Sequence, residues 1–332
     1  MTGARQAATA ERTGRALLAL ASVFCVAAFV APAGADAAWP GQNGEIVFQA
    51  FHLSGEEAAY DEGRGIWSSL PDAPNGQVHR LTIDHGDTAP QVSPDGRWVV
   101  FSRQRPSTTT TPAAGAIFRM RSDGAAVTRL TDGTHLDRQP AFLASGERVV
   151  FSRDDEGGNL YSVALDGSGL HQITSGPAED RRPAVSPSGR VIAFERNNEI
   201  FTARPSGASL RNATRQIQKK TAKTAPDFSP DGKRIAFAFE GRIYTMAASG
   251  GHLRQISGFH FPTTGMGEPS FAPDGRSLLA VYTSPYRSSS LYLFPLRAGV
   301  PRACGVIHTG AEQARSPVWQ PSSQAAAACR EH

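Results

Sequence analysis

Three times in the 332-residue chain an aspartate three residues before a proline is followed 16 residues later by an arginine: Asp87 with Arg103, Asp137 with Arg153, and Asp180 with Arg196. Two kinds of chemistry fit this spacing. As mutual partners, the charges tie two chain segments together, at about 0 to 1 kcal/mol if exposed. Left open around a channel mouth, they form a polar crescent offering guanidinium forks to anions and carboxylates to a cation. The same offset elsewhere gives Lys223 with Phe239, Met266 with Tyr282 and, across the chain ends, Ala314 with Ala50. The two charges come and go together. That correlation favours pairing, because a lone charge at a partly buried site lacks a counter-ion.

Catalytic signatures are sparse. The sequence has no Gly-x-Ser-x-Gly, His-Glu-x-x-His or Cys-x-x-Cys pattern. His85, His135 and His260 precede first strands of different repeats and could converge as metal ligands, whereas His79, His171 and His252 read as packing or surface residues. No metal or other cofactor is expected.

The elements that position these residues come from an internal repeat. Ala89-Pro90-Gln91-Val92-Ser93-Pro94-Asp95-Gly96, followed by the apolar Trp98 to Phe101, recurs from Gln139, Arg182, Ala225 and Glu268, with a partial copy at Pro317 to Pro321. The leading prolines, at 90, 140, 183, 226, 269 and 317, define a unit of about 43 residues. Each unit also carries an aliphatic-aromatic pair, such as Ile117-Phe118 or Leu160-Tyr161, and a later Leu-Thr-like pair, such as Leu130-Thr131 or Ile173-Thr174. Gly96, Gly146, Gly189, Gly232 and Gly275 hold one position. A three-residue hairpin loop ending in a left-handed residue needs glycine there, which sets Ser93 opposite Arg97. The Pro-Asp-Gly motif is thereby structural and not a phosphate loop.

Four short strands per unit, with no helical period in the mature chain, predict an all-β protein: a six-bladed β-propeller of four-stranded blades. The first unit starts on a second strand, Gly44 to Phe48, and Pro317 to Pro321 is a first strand with nothing after it. The carboxyl-terminal strand is therefore expected to complete the first blade. Loops into first strands and out of second strands share one face. They bring Glu56, Glu57, Asp61 and Glu62, Asp154-Asp155-Glu156, and Arg215, Lys219, Lys220 and Lys223 together.

Ser93-Pro94-Asp95-Gly96 with its trailing apolar strand resembles the TolB-type propeller repeat, a WD-like family, over about residues 43 to 321. Ala144-Ser145-Gly146 and Ser188 depart from the pattern. The resemblance lacks the amino-terminal α/β domain of TolB and implies a binding propeller of the cell envelope. Only 11 residues follow Pro321, so the serine-triad domain of propeller-bearing oligopeptidases is not expected.

Composition agrees with a folded, turn-rich chain. Glycine and proline total 33 + 23 = 56 residues, charged residues are 19% and apolar residues 40%. The net charge of +4 is not gathered into a basic stripe, so no nucleic acid partner is expected. Arg5, Arg12 and Arg15 precede an apolar run from Ala16 to Val30 and the small-residue site Ala35-Asp36-Ala37, the pattern of a cleaved signal peptide over residues 1–37. Residues 38–321 form the propeller and 322–332 a tail. Cys304 and Cys329 then meet an oxidising compartment, as a tail disulfide or as two free thiols. The expected protein is a secreted or periplasmic monomer without a stable membrane span. It binds a protein or envelope component through the charged loop face, with Lys219, Lys220 and Lys223 as candidate contacts. The alternative is a carbohydrate-acting lyase or hydrolase working at the channel mouth.

Overall fold

A 43-residue period leaves room for only short strands, each ended by Gly, Pro, Asp or Ser. The computed structural model describes residues 39–51, 64–71, 78–84, 86–105, 108, 113–154, 157–257, 265–283, 289–296, 305–307 and 313–322, and every regular element among them is a strand. The proposed signal peptide, Cys304 and Cys329 lie outside the described residues. Among those described, no helix is long and apolar enough to cross a membrane.

The first unit contains β1 (Gln42–Phe51), β2 (Gly65–Ser69) and β3 (His79–Arg80). The second contains β4 (Asp87–Val92), β5 (Trp98–Arg105), β6 (Ala114–Arg121) and β7 (Thr128–Arg129). The third contains β8 (Leu136–Phe142), β9 (Arg148–Asp154), β10 (Asn159–Ala164) and β11 (His171–Gln172). Then follow β12 (Asp180–Val185), β13 (Ile192–Arg196), β14 (Glu199–Ala203) and β15 (Arg211–Asn212) in the fourth. The fifth has β16 (Lys223–Phe228), β17 (Arg234–Phe239), β18 (Arg242–Ala247) and β19 (Arg254–Gln255). The sixth has β20 (Met266–Phe271), β21 (Ser277–Thr283), β22 (Ser289–Pro295) and β23 (Gly305–Ile307). The last strand, β24 (Gln313–Ser322), pairs antiparallel with β1, giving the order β24-β1-β2-β3.

Six separate sheets are expected from the repeat, but the described strands form five. Four are four-stranded, and the second and third units share one eight-stranded sheet. The join is a single parallel bridge, Gly115 to Leu136. It forms because Gly115 has no side chain: a Cβ there would stand 3.0 Å from the Asp137 carbonyl oxygen, and the Gly115 N–H reaches the His135 carbonyl at 2.9 Å.

The second strand of each unit is buried on both faces. Val99-Val100-Phe101, Val149-Val150-Phe151 and Ile192-Ala193-Phe194 are fully enclosed. Six apolar clusters lie between consecutive units, and one of them joins Leu279 and Val281 of the sixth unit to Ile46 and Phe48 of the first. The core is thus a ring of interfaces around a centre lined by first strands, the arrangement of a propeller. The recurring sequence pairs now have physical roles. In five of the six aliphatic-aromatic pairs the N–H of the buried aliphatic residue donates to the hydroxyl of the later Leu-Thr-like pair, as in Ile117 to Thr131 at 3.0 Å, Leu160 to Thr174 at 2.9 Å and Ile243 to Ser257 at 3.0 Å; the sixth has Val306-Ile307 and no hydroxyl. The aromatic residue packs across the strand pair, as in Phe101 with Phe118 at 5.8 Å.

The hairpin differs in detail from the expected three-residue loop. The Ser93 N–H donates to the Trp98 carbonyl at 2.8 Å and the Trp98 N–H donates to the Ser93 hydroxyl at 2.9 Å, so Ser93 faces Trp98 and Arg97 belongs to the loop. Gly96 sits at φ 71°. A β-bulge between Thr88 and Gln91 then restores the register, so that Asp87 faces Arg103. The longer loop and the bulge cancel.

Candidate functional site

The bulge has a price in backbone conformation that repeats around the ring. The residue before each leading proline adopts a left-handed conformation without being glycine: Ala89 (φ 50°), Gln139 (55°), Arg182 (47°), Ala225 (51°), Glu268 (49°) and Ser316 (47°). All six line one central cavity of about 410 Å³. In four of them the turned backbone aims its N–H at a side chain of the preceding unit. Gln139 N–H donates to Ser102 Oγ at 2.8 Å, Arg182 N–H to Gln139 Oε1 at 3.1 Å, Ala225 N–H to Glu195 Oε1 at 2.6 Å, and Ser316 N–H to Glu268 Oε2 at 2.6 Å. Each donor is met by the preceding unit, a relay that fixes the wall of the cavity.

Trp39 stands at the hairpin-turn end of this cavity. The Gly41 N–H donates to the Pro273 carbonyl at 3.3 Å in the sixth unit, and Trp39 Nε1–H donates to the Val92 carbonyl at 2.9 Å in the second. The indole packs with Val100 and Phe142. Residues 39–41 therefore run past the hairpin-turn end of the first unit, from the sixth unit to the second. Asp227 reaches into the cavity from β16, accepting the Phe271 N–H at 2.7 Å. Burial pushes its carboxyl up to about 7, opposed by hydrogen bonds from the Phe271 and Phe228 amides.

The three Asp and Arg pairs lie beside the cavity and do not line it. Arg103 donates from Nε and Nη2 to Asp87 at 2.7 and 3.0 Å, Arg153 to Asp137 at 2.6 and 2.7 Å, and Arg196 to Asp180 at 2.6 and 2.7 Å. The carboxylates are buried, and the arginine side chains are 27%, 6% and 11% exposed. Each guanidinium also covers an aromatic ring: Phe118 at 4.6 Å, Tyr161 at 5.0 Å and Phe194 at 5.4 Å. Burial raises the Asp87 carboxyl against the bonds from Arg103 and Thr82, while the bonds from Asp87 raise the Arg103 guanidinium. These charges are spent on one another, as two-point forks, and present no open crescent.

The loop face is partly placed. Lys219 is exposed and donates to Glu240 at 2.8 and 3.0 Å; Lys220 and Arg215 are exposed. Lys223 differs from its expected place on that face. It is buried, with Nζ donating to Glu199 Oε1 at 2.7 Å and to the Lys219 carbonyl, 5.4 Å from the Phe239 ring centroid. Its position in the first strand points it between units, where a free ammonium would be costly, so Glu199 of the preceding unit supplies the counter-charge. Glu56, Glu57, Asp61, Glu62, Asp155, Glu156, His85 and His260 lie outside the described residues. His135 is exposed beside Thr134, and among the described residues no three His, Cys, Asp or Glu side chains converge in metal-binding range.

No family model matches the chain. An uncharacterized protein of Agrobacterium fabrum is 38% identical over 81 residues, 24% of this chain and 26% of that protein. Dipeptidyl-peptidase 5 of Porphyromonas gingivalis is 32% identical over 69 residues, 21% of this chain and 10% of that protein. The matches thus span about a quarter and a tenth of those relatives. Solved structures cover far more: TolB from Acinetobacter baumannii superposes with a TM-score of 0.63 at 16% identity, over 84% of this chain and 67% of that one. The fold is a TolB-like β-propeller.

Other solved structures share the TolB-like arrangement. Hydrazine synthase of Kuenenia stuttgartiensis has a TM-score of 0.66 at 16% identity, over 84% of this chain and 47% of that one. A nidogen/laminin complex has 0.62 at 13%, over 85% of this chain and all of that one. At such identities the likeness carries the fold alone. In this TolB-like repeat the Asp and Arg register is visible in the sequence, but the lining of the cavity is not. The residues before the prolines had no common chemical type, and the bulge that turns them inward left no signal beyond the proline itself.

Proposed function

We propose that the protein is an exported, noncatalytic, six-bladed TolB-like propeller that binds a protein or cell-envelope component as a monomer. The six-blade count treats the eight-stranded sheet as two units joined by the Gly115 bridge. The observation that carries the binding reading is the fate of the paired charges. Asp87, Asp137 and Asp180 are closed into bidentate forks, so these three offer no free general acid or base. Among the described residues exposed on the loop face are Arg215, Lys219 and Lys220, in the segment between β15 and β16. Such a basic, accessible segment suits an acidic protein or envelope surface.

The test is retention from native envelope extract on the immobilised protein, followed by identification of what is retained. One defined component, with retention lowered at least tenfold by Lys219→Glu plus Lys220→Glu, supports the reading. Retention of nothing specific, or equal retention by the variant, overturns it. A second reading, a carbohydrate-acting lyase or hydrolase at the channel mouth, draws on Asp227, whose carboxyl near 7 lies in the range of a general acid. Polysaccharide cleavage lost in Asp227→Asn would favour that reading.

A further inference from the structure

The cavity wall is satisfied unevenly. Its carboxylates are already engaged: Glu268 Oε2 accepts the Ser316 N–H and Asp227 accepts the Phe271 N–H. Gln139 Oε1 is likewise taken by the Arg182 N–H, which leaves its amide N–H groups for another acceptor. Arg182 donates to Glu195 at 2.9 Å. Arg315 has no such partner. It lines the cavity from β24, opposite Gln49 in the strand register, and among the described residues no carboxylate stands within ion-pair distance of it. The relay of N–H donors also has a gap. At Glu268 the preceding unit offers Ala225 and Ala238, neither of which carries a side-chain acceptor.

Unspent groups therefore include a guanidinium, amides of Gln49 and Gln139, and a backbone N–H, with the second oxygen of Glu268 as an acceptor. Donors predominate. Part of the wall is apolar and aromatic, built from Trp39 and Phe142. A guest matched to this set is anionic at one point, rich in hydroxyls elsewhere, and has a flat C–H face. A cavity of about 410 Å³ with Trp39 in its wall suits a small molecule.

We propose that the central cavity binds a small sugar acid, with its carboxylate on Arg315, its hydroxyls on the Gln49 and Gln139 amides and Glu268, and its ring over Trp39. This site is separate from the loop-face docking reading and requires no catalysis. Only binding is involved, and no bond is made or broken.

The test is calorimetric titration of the purified protein with D-galacturonate, D-galactose and adipate, with tryptophan fluorescence as a second readout. Galacturonate is expected to bind at least tenfold more tightly than the neutral sugar or the hydroxyl-free dicarboxylate. Arg315→Gln should weaken it tenfold or more, and Arg315→Lys less, because a point charge replaces the fork. Trp39→Phe should abolish the fluorescence change while the heat of binding remains. Absence of binding, equal affinity for the three ligands, or unchanged affinity in a folded Arg315→Gln variant overturns the proposal. If that variant does not fold, Gln49→Leu decides: a threefold or greater loss supports the site and no loss overturns it. Envelope-extract retention is measured separately, so failure here leaves the docking reading standing.

Discussion

Units two to four and units five, six and one have the same strands and register, but different chemistry at one cross-strand pair. In the first half-ring an Asp and an Arg close a buried fork. In the other half the same places hold Lys223 and Phe239, Met266 and Tyr282, and Ala314 and Ala50. The backbone does not need the ion pair. Three solutions serve one geometry: a fork within the unit, a lysine borrowing Glu199 from its neighbour, and plain apolar packing. A buried pair is costly to break and nearly neutral to replace as a whole, so such positions can drift only by paired or rewired change.

That comparison can be broken most severely at Asp137, the fork with the least exposed arginine. Asp137→Ala should destabilise by about 3–5 kcal/mol in urea unfolding, while Asp137→Ala with Arg153→Met should recover most of the loss. Asp87→Ala should cost less, because Arg103 is 27% exposed and also stands 3.2 Å from Asp84. Equal losses at the two sites would contradict the role of burial. In the other half-ring, Lys223→Met should cost about 1–3 kcal/mol by leaving Glu199 without its cation, and Glu199→Gln in the same chain should restore part of it. If Lys223→Met alone were neutral, the rewired pair would have no energetic role.

Asp227 sharpens the comparison through pH. Its folded carboxyl lies above the usual aspartate value, so between about 4 and 7 the folded state binds more protons than the unfolded state and stability falls as pH rises. Asp227→Asn keeps an acceptor for the Phe271 N–H and removes that fall. At pH 8 it should be more stable than the parent by about 1–3 kcal/mol, and near pH 3 the two should converge. A parallel pH profile in both proteins would refute the assignment. The smallest effect belongs to Lys219→Glu with Lys220→Glu, which should change stability by less than about 0.5 kcal/mol because both residues are exposed.

Much of this was legible from residue types alone. The period, the glycine turns, the strand that rejoins the first unit and the pairing of Asp87 with Arg103 all follow from local rules of spacing and turn chemistry. Ser93 lies one residue out of the register expected from the turn, yet Asp87 still faces Arg103, because the β-bulge offsets the longer loop. Lys223 looked like a surface charge because its counter-ion, Glu199, is 24 residues away in a different unit.

What the sequence by itself determined is therefore the repeating unit, since turns, alternation and strand length act within a few residues. Only the tertiary structure decided which charges are buried, that Trp39 lines the central cavity, and that six residues before prolines, of five chemical types, face that cavity. Those outcomes depend on how units meet around a closed ring, where partners come from segments far apart in the chain and a residue's role is set by what its neighbour supplies.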